Sequence, residues 1–195
     1  DSMEELDVSV SYKDGKILVS KPDLFSPMIL RNGSVSLFEL GQADCLYLNR
    51  GEGKFEKILW NNGTFKDENG INLEKAPKGW GLSAMFRDMN QDGFPDLYVC
   101  NDFFYSPDFI WINNADGTFR ASSALSIRQT SMSSMAVDFA DIDRDGFDDV
   151  FIADMMSRSH ERRHRQRGSL IHTKMKLPIE TPSYRPEYPR NTMFL

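Results

Sequence analysis

Two short segments carry oxygen-bearing side chains at the same spacing, and this spacing is suited to holding a hard cation. In each segment, positions 1, 3, 5 and 9 have carboxylate or amide side chains, and position 6 is glycine. Ca²⁺ takes about six to eight oxygen ligands, and alternate residues of a tight loop can point inward together. The first set is Asp88, Asn90, Asp92 and Asp96, with Gly93; the second is Asp141, Asp143, Asp145 and Asp149, with Gly146.

The spacing therefore predicts two Ca²⁺ sites, each with a main-chain carbonyl ligand at position 7, from Phe94 or Phe147. We expect the second site to be the tighter one, because all four of its side-chain ligands are aspartates. The alternative is an acidic turn without an ion, but clustered carboxylates repel one another when no cation lies between them. We expect the two loops to bind independently, because they belong to different repeat units.

Strands, rather than helices, are predicted around both loops. An EF-hand loop ends in a bidentate Glu at its twelfth position and leads into a helix, whereas that position is Val99 in one loop and Ile152 in the other. Short apolar runs rich in β-branched and aromatic residues follow the loops, and strand-like segments precede them. The runs are residues 97–100 and 150–153, and the preceding segments are residues 82–86 and 135–139.

A second element also recurs, and it predicts a β-hairpin: a strand, a Gly-containing turn and a strand that begins with Phe. Its copies are residues 44–55 and 108–119, and residues 191–195 match the first strand of a third copy. Two strands around a loop and one hairpin give four strands per unit, and such repeats indicate the blades of a β-propeller. The sequence thus predicts an all-β fold, part of a propeller; the alternative is a sandwich of unrelated hairpins.

The segments around the loops resemble FG-GAP/VCBS repeats, the Ca²⁺-binding blades of integrin-α-type propellers and of many secreted bacterial proteins. Within that family they are similar to the subgroup that often carries an ASPIC/UnbV domain. The resemblance implies a propeller fold and bound calcium, and it covers residues 44–155 and 190–195. It is carried by residues 80–83, 88–99, 101–103, 113–119 and 135–141.

We predict a divergent first blade over residues 1–78, with a polar insert at 58–78, a second blade over 79–125 and an incomplete third over 132–195. The third blade contains a basic and Pro-rich insertion at residues 156–190. Its arginines suit an anionic partner such as an acidic glycan, or they form a solvated segment that pairs with local acids. These arginines are Arg158, Arg162, Arg163, Arg165 and Arg167.

The composition indicates a globular chain with a hydrophobic core. The 195 residues are 40% hydrophobic and carry a net charge of −6, which gives no reason to expect nucleic acid binding, and no apolar run has the length of a membrane span. Cys45 and Cys100 lie on predicted strands, where we expect small buried side chains rather than a disulfide. We expect further blades beyond Leu195, or another chain covering that edge, because an open arc leaves an unpaired strand.

No catalytic constellation is present in the sequence, so we expect no enzyme activity from this chain. The leading hypothesis is a calcium-stabilised propeller module for adhesion or for binding a protein or glycan ligand. The alternatives are the propeller of a secreted carbohydrate-active enzyme, such as a polysaccharide lyase, and a scaffold module of a larger enzyme. Extracellular Ca²⁺ modules bind at about 10⁻⁴–10⁻³ M, which favours an extracellular, periplasmic or cell-surface location.

Overall fold

The structure is a computed structural model, and the part of the chain that it describes is almost entirely β-structure. Eighteen strands occur in that part, and helical conformation occurs there at residues 160–162 alone. The predicted all-β class is therefore confirmed. The described residues are 7–30, 32–102, 106–155, 157, 159–162 and 185–195.

Small antiparallel pairs make up most of the first half of the chain. The strands are β1 (Val10–Lys13), β2 (Lys16–Val19), β3 (Phe25–Ile29), β4 (Val35–Glu39), β5 (Gln42–Ala43), β6 (Leu46–Asn49), β7 (Phe55–Ile58), β8 (Phe65–Lys66) and β9 (Lys78–Gly79). β1 pairs with β2, β3 with β4, β5 with β9, and β6 with β7. Asp14 and Gly15 join β1 to β2 with φ angles of 50° and 72°, which match the right-handed twist of a two-residue hairpin.

The largest sheet surrounds the first loop. It contains β10 (Gly81–Arg87), β11 (Asp96–Asn101), β12 (Phe109–Asn113) and β13 (Phe119–Ala121) as an antiparallel meander. β8 adds a fifth strand parallel to β13, with Phe65 opposite Phe119. The sheet therefore combines four consecutive strands with one from the segment predicted to be a polar insert.

The second loop lies in a smaller sheet. The remaining strands are β14 (Thr130–Ser131), β15 (Ser134–Ala140), β16 (Asp149–Asp154), β17 (Glu187–Tyr188) and β18 (Thr192–Phe194). β15, β16 and β18 form an antiparallel sheet, while β14 and β17 pair in parallel. Val150 of β16 faces Phe194 as Leu97 of β11 faces Trp111, so the structure confirms that residues 191–195 repeat the strand at 108–112.

The sheets that contain β10 and β15 share the same local irregularities. β10 has a bulge between Gly81 and Ser83, and β15 has one between Ser134 and Ala136, at the equivalent place. The hairpin copies also agree, because Asn49 and Asn113 each accept a hydrogen bond from the amide two residues later, at 2.8 and 3.0 Å. These shared features show that the two sequence elements repeat as structural units.

Strand β11 lies between two hydrophobic clusters, and all six of its residues are buried. Side chains of a strand alternate between its faces, so Leu97 and Val99 join one cluster while Tyr98 and Cys100 join the other. The first cluster also contains Ile58, Phe65, Phe109, Trp111 and Ala121, and the second contains Ile110, Val137, Phe139, Val150 and Ile152. The second cluster packs the sheet of the first loop against that of the second.

The structure differs from the sequence expectations in three places. The described sheets have two, three or five strands and none closes on itself, so separate four-stranded blades are not what is observed. The predicted polar insert at 58–78 supplies Phe65, which is 1% exposed in the first cluster. Cys45 is exposed and lies between β5 and β6, whereas Cys100 is buried in β11, and both are free thiols.

Candidate metal centre

Each loop is folded around the carboxylate at its first position. Asp88 accepts hydrogen bonds from the amides of Asp92 and Gly93, at 3.1 and 2.8 Å. Asp141 accepts from the two equivalent amides, those of Asp145 and Gly146, at 3.1 Å each. The same side chain therefore fixes the same turn in both loops.

Backbone conformation explains the glycine at position 6. Gly93 and Gly146 have φ angles of 87° and 94°, a region that L side chains enter only at a cost in energy. The residues at position 4, Gln91 and Arg144, also have positive φ, 60° and 65°. Two left-handed residues within three positions turn the chain sharply, so that the amides of positions 5 and 6 reach back to the carboxylate at position 1.

The carboxylate at position 9 anchors each loop to its sheet. Asp96 and Asp149 are 0% and 4% exposed, and each accepts a hydrogen bond from the amide of the second loop residue, Met89 at 3.0 Å or Ile142 at 2.8 Å. Asp96 also accepts from the amide of Asn113 at 2.8 Å. Burial raises the pKa of Asp96 above its ordinary value, and these two amides oppose that rise.

Three of the predicted ligands converge in the second loop. Oxygen atoms of Asp141, Asp143 and Asp149 all lie within 4.8 Å of one another. Asp145 is outside this group, and its Oδ1 accepts from the amide of Phe147 at 2.8 Å. Three convergent carboxylates suit a hard divalent cation, which prefers oxygen ligands and would relieve their mutual repulsion. The residues present therefore fit Ca²⁺.

The first loop differs because an amide replaces the carboxylate at position 3. Asn90 donates through Nδ2 to Asp92 at 2.9 Å and accepts from the amide of Asp92 at 3.1 Å. The side-chain amide of Asn90 thus gives Asp92 a hydrogen-bond donor. The second loop has a carboxylate, Asp143, at this position and therefore carries one more negative charge. Asp92 Oδ1 accepts from the amide of Phe94 at 2.8 Å, as Asp145 does from Phe147.

The two loops touch each other, which the spacing of the repeats did not indicate. Gln91 Nε2 donates to the carbonyl oxygen of Gly146 at 2.9 Å. Arg87 Nε also forms an ion pair with Asp148 Oδ2. The Asp148 side chain is mostly buried, with 17% exposed, whereas the Arg87 side chain is 49% exposed. Each loop therefore contributes contacts to the other, and the expectation that the two loops bind Ca²⁺ independently stays a prediction.

A buried polar network lies at the opposite end of β11 from the first loop. Asp108 accepts hydrogen bonds from the hydroxyl groups of Tyr98 and Ser134, at 2.7 and 2.8 Å, and from the amide of Asn101 at 2.9 Å. Burial raises the pKa of Asp108 to about 6, against the opposing effect of these donors. Ser134 belongs to β15, so Asp108 joins the two sheets. The sequence carries one signal for this role: Asp108 aligns with Asn191 before the repeated strand.

Arg185 lies just before β17 and binds the segment between β13 and β14. It is 2% exposed and donates to the carbonyl oxygens of Ile127 and Ser122, at 2.7 and 2.5 Å. Burial raises the pKa of the neighbouring Glu187 to about 8, and the charge of Asp108 adds to this rise. The buried Arg185 and the partly buried Glu187 were not predicted, because nothing in the local sequence distinguishes them from surface residues.

Most of the predicted basic patch lies outside the described residues. This holds for Arg158, Arg163, Arg165 and Arg167. Arg162 is exposed, and its amide donates to Ser159 Oγ at 3.2 Å. Its predicted role in binding an anionic partner stays a prediction.

Comparison with known proteins identifies the repeat. Residues 88–152 match the family described as FG-GAP-like repeat. The match begins at the first residue of the first loop and ends within β16, so it contains both loops and supports the FG-GAP family but not a particular subgroup. No curated protein matches the chain, and no solved structure matches it. In the described residues, no helix combines the length and apolar character that crossing a bilayer requires.

Proposed function

We propose that this chain is a calcium-stabilised β-propeller module with two Ca²⁺ sites. The observation that carries the proposal is the convergence of Asp141, Asp143 and Asp149 within 4.8 Å, in a loop whose hydrogen bonds recur around Asp88. The FG-GAP-like repeat over residues 88–152 supports it independently.

In this proposal the ion stabilises the turn between two strands and takes part in no reaction. A bound cation neutralises the clustered carboxylates and holds β10 to β11, or β15 to β16, at the loop end. The side chains at positions 1, 3, 5 and 9 would hold it, with the carbonyl oxygens of Phe94 and Phe147. Because these acids are committed to structure, we assign the chain no catalysis of its own.

The meander of β10–β13 has the strand order of one propeller blade, and β15, β16 and β18 repeat its first three strands. We propose that they are successive blades, at residues 79–125 and 132–195, packed face to face through the second hydrophobic cluster. Membership of the subgroup that carries an ASPIC/UnbV domain is part of this proposal.

The proposed setting is extracellular, periplasmic or on the cell surface, with a protein or glycan as ligand. Flexible extracellular Ca²⁺ modules bind at about 10⁻⁴–10⁻³ M, and sites of that strength fill where calcium is abundant. Part of the ligand surface is assigned to the basic segment that contains Arg162, whose charge suits acidic groups.

Isothermal titration with Ca²⁺ after chelator treatment tests the metal sites. We expect two sites in the unaltered chain and one site each in Asp92→Ala and Asp145→Ala. Asp116→Asn is a matched control, because it removes an acid from an exposed hairpin turn outside both loops and should leave two sites. Absence of binding in the folded, unaltered chain would refute the proposal, and nanomolar affinity would remove the argument for an extracellular setting.

A further inference from the structure

Gln91 links the two loops through a peptide unit that also positions a predicted ligand. Its Nε2 donates to the carbonyl oxygen of Gly146 at 2.9 Å. The amide of the same peptide unit belongs to Phe147, and it donates to Asp145 Oδ1 at 2.8 Å. A side chain from the first loop thus orients the peptide that holds an acid of the second loop.

The ion pair between Arg87 and Asp148 forms a second link at the same junction. Arg87 immediately precedes Asp88, the first ligand position of the first loop, and Asp148 immediately precedes Asp149, the last ligand position of the second. Both links therefore join residues that are next to ligand positions, and an ordered first loop favours an ordered second loop.

We infer that the two loops bind Ca²⁺ with positive cooperativity and that Gln91 is the residue that couples them; this inference rests on the proposed function. Binding in one loop orders the carboxylates there and fixes the contacts at the junction. The other loop then has less conformational freedom to lose when it binds. The coupling must be equal in both directions, because it is a difference in binding free energy.

Two effects oppose one another at this junction. Two bound dications repel each other, which favours negative cooperativity, but salt screens charges at solvent-exposed loops. The hydrogen bond from Gln91 is a short-range contact that salt weakens little. At physiological ionic strength the repulsion between the two ions is reduced, so a titration under that condition is best suited to detect the coupling through Gln91.

The test compares calcium titrations of the unaltered chain, of two single-loop variants and of two variants at loop position 4, all in the folded state. The single-loop variants Asp92→Ala and Asp145→Ala give the intrinsic binding constant of each loop. The product of the two stepwise constants of the unaltered chain, divided by the product of the intrinsic constants, gives the cooperativity factor. We expect a factor of about five or more. Gln91→Asn, measured together with its own pair of single-loop variants, places at this position a residue that tolerates positive φ but has a shorter side chain, and it should lower the factor towards one.

Arg144→Asn is the matched control, because Arg144 occupies the same loop position with φ of 65° and donates no hydrogen bond to the described part of the first loop. It should change the affinity of the second loop and leave the factor unchanged. Two sites with a factor of one would overturn the inference while the proposed function stands, whereas no binding at all would overturn both. A factor that survives Gln91→Asn, or falls equally in Arg144→Asn, would overturn the assignment to Gln91.

Discussion

Tyr98 in the first sheet and Phe151 in the second occupy equivalent positions, yet Tyr98 is 0% exposed and Phe151 is 40% exposed. Tyr98 is covered by the next sheet along the chain, through an edge-to-face contact with Phe139 at 6.3 Å. Phe151 has no such ring contact within the described residues. Burial of a repeat position in this molecule therefore depends on the sheet that packs against it.

Several local hydrogen bonds, in contrast, recur in both sheets. The amide of Asn101 donates to Asp108 at 2.9 Å, and the equivalent amide of Asp154 donates to Asn191 at 2.8 Å. The loop anchors at Asp96 and Asp149 also agree. The comparison separates two contributions, because repeat residues determine the loops and strand ends, whereas neighbouring segments determine the depth of the core.

The two sheets should differ most in the stability lost when Trp111 or its equivalent, Phe194, is replaced by alanine. Trp111 is 1% exposed and contacts the rings of Trp60 and Phe65 at 5.6 and 5.0 Å, so Trp111→Ala should lower the free energy of unfolding by about 3–5 kcal/mol. Phe194 is only partly buried, and Phe194→Ala should cost less than about 2 kcal/mol. Guanidinium unfolding followed by circular dichroism measures both, and equal losses would contradict the comparison.

The elements that could be predicted from sequence are those that depend on local pattern. The loops follow from oxygen spacing and glycine, and β10, β11, β15 and β16 follow from the apolar runs around them. The strand at 191–195 was found because it repeats residues 108–112. In each case the information lies within a few residues, where period and turn chemistry decide the structure.

The remaining features depend on contacts between distant segments. Phe65 enters the core because the ring of Trp111 packs against it, at 5.0 Å, although its own neighbourhood is polar. The contact of Gln91 with Gly146 depends on how two sheets pack. The raised pKa of Asp108 depends on burial by β15, so no local pattern could have indicated any of the three.

Asp108 and its equivalent, Asn191, should give the two sheets different pH dependence. Burial raises the pKa of Asp108 to about 6 from 3.8, so the folded state binds a proton more tightly than the unfolded chain does. Its contribution to stability is therefore fully present below about pH 4 and falls as the pH rises to about 6, by roughly 3 kcal/mol. Glu187, with its pKa raised to about 8, extends the fall to higher pH.

Asp108→Asn tests this dependence, because it gives the first sheet the neutral amide of the second. The charged and titratable groups coupled to Asp108 are Tyr98, Cys100, Arg185 and Glu187, and all four are kept in this variant. The free energy of unfolding of the unaltered chain minus that of Asp108→Asn should be larger at pH 4 than at pH 7. Urea unfolding at both values measures the difference, and a difference independent of pH would contradict the raised pKa.

The loop anchors Asp96 and Asp149 should show a smaller difference in the stability lost on substitution by asparagine. Asp96 accepts amide hydrogen bonds on both oxygens, from Met89 and Asn113, whereas the described partner of Asp149 at this position is Ile142. An Asn side chain keeps one accepting oxygen, so Asp96→Asn leaves a buried amide unsatisfied and should cost about 1–3 kcal/mol. Asp149→Asn should cost less than about 1 kcal/mol. Both unfolding measurements require excess chelator, since the two residues are also predicted ligands.

The smallest effect is expected at the ion pair between the loops. A double-mutant cycle of Arg87→Ala and Asp148→Ala in excess chelator should give a small coupling energy, because solvent screens the pair. The pair between Arg50 and Glu56 is the control, since both of its side chains are more than half exposed, at 54% and 55%, and both belong to one hairpin. Asp148 is only 17% exposed, so its coupling should be the larger of the two and should weaken less with added salt. If the hairpin pair were the stronger, partial burial between the sheets would add nothing to the ion pair, and the hydrogen bond from Gln91 would be the more important of these two polar links between the loops.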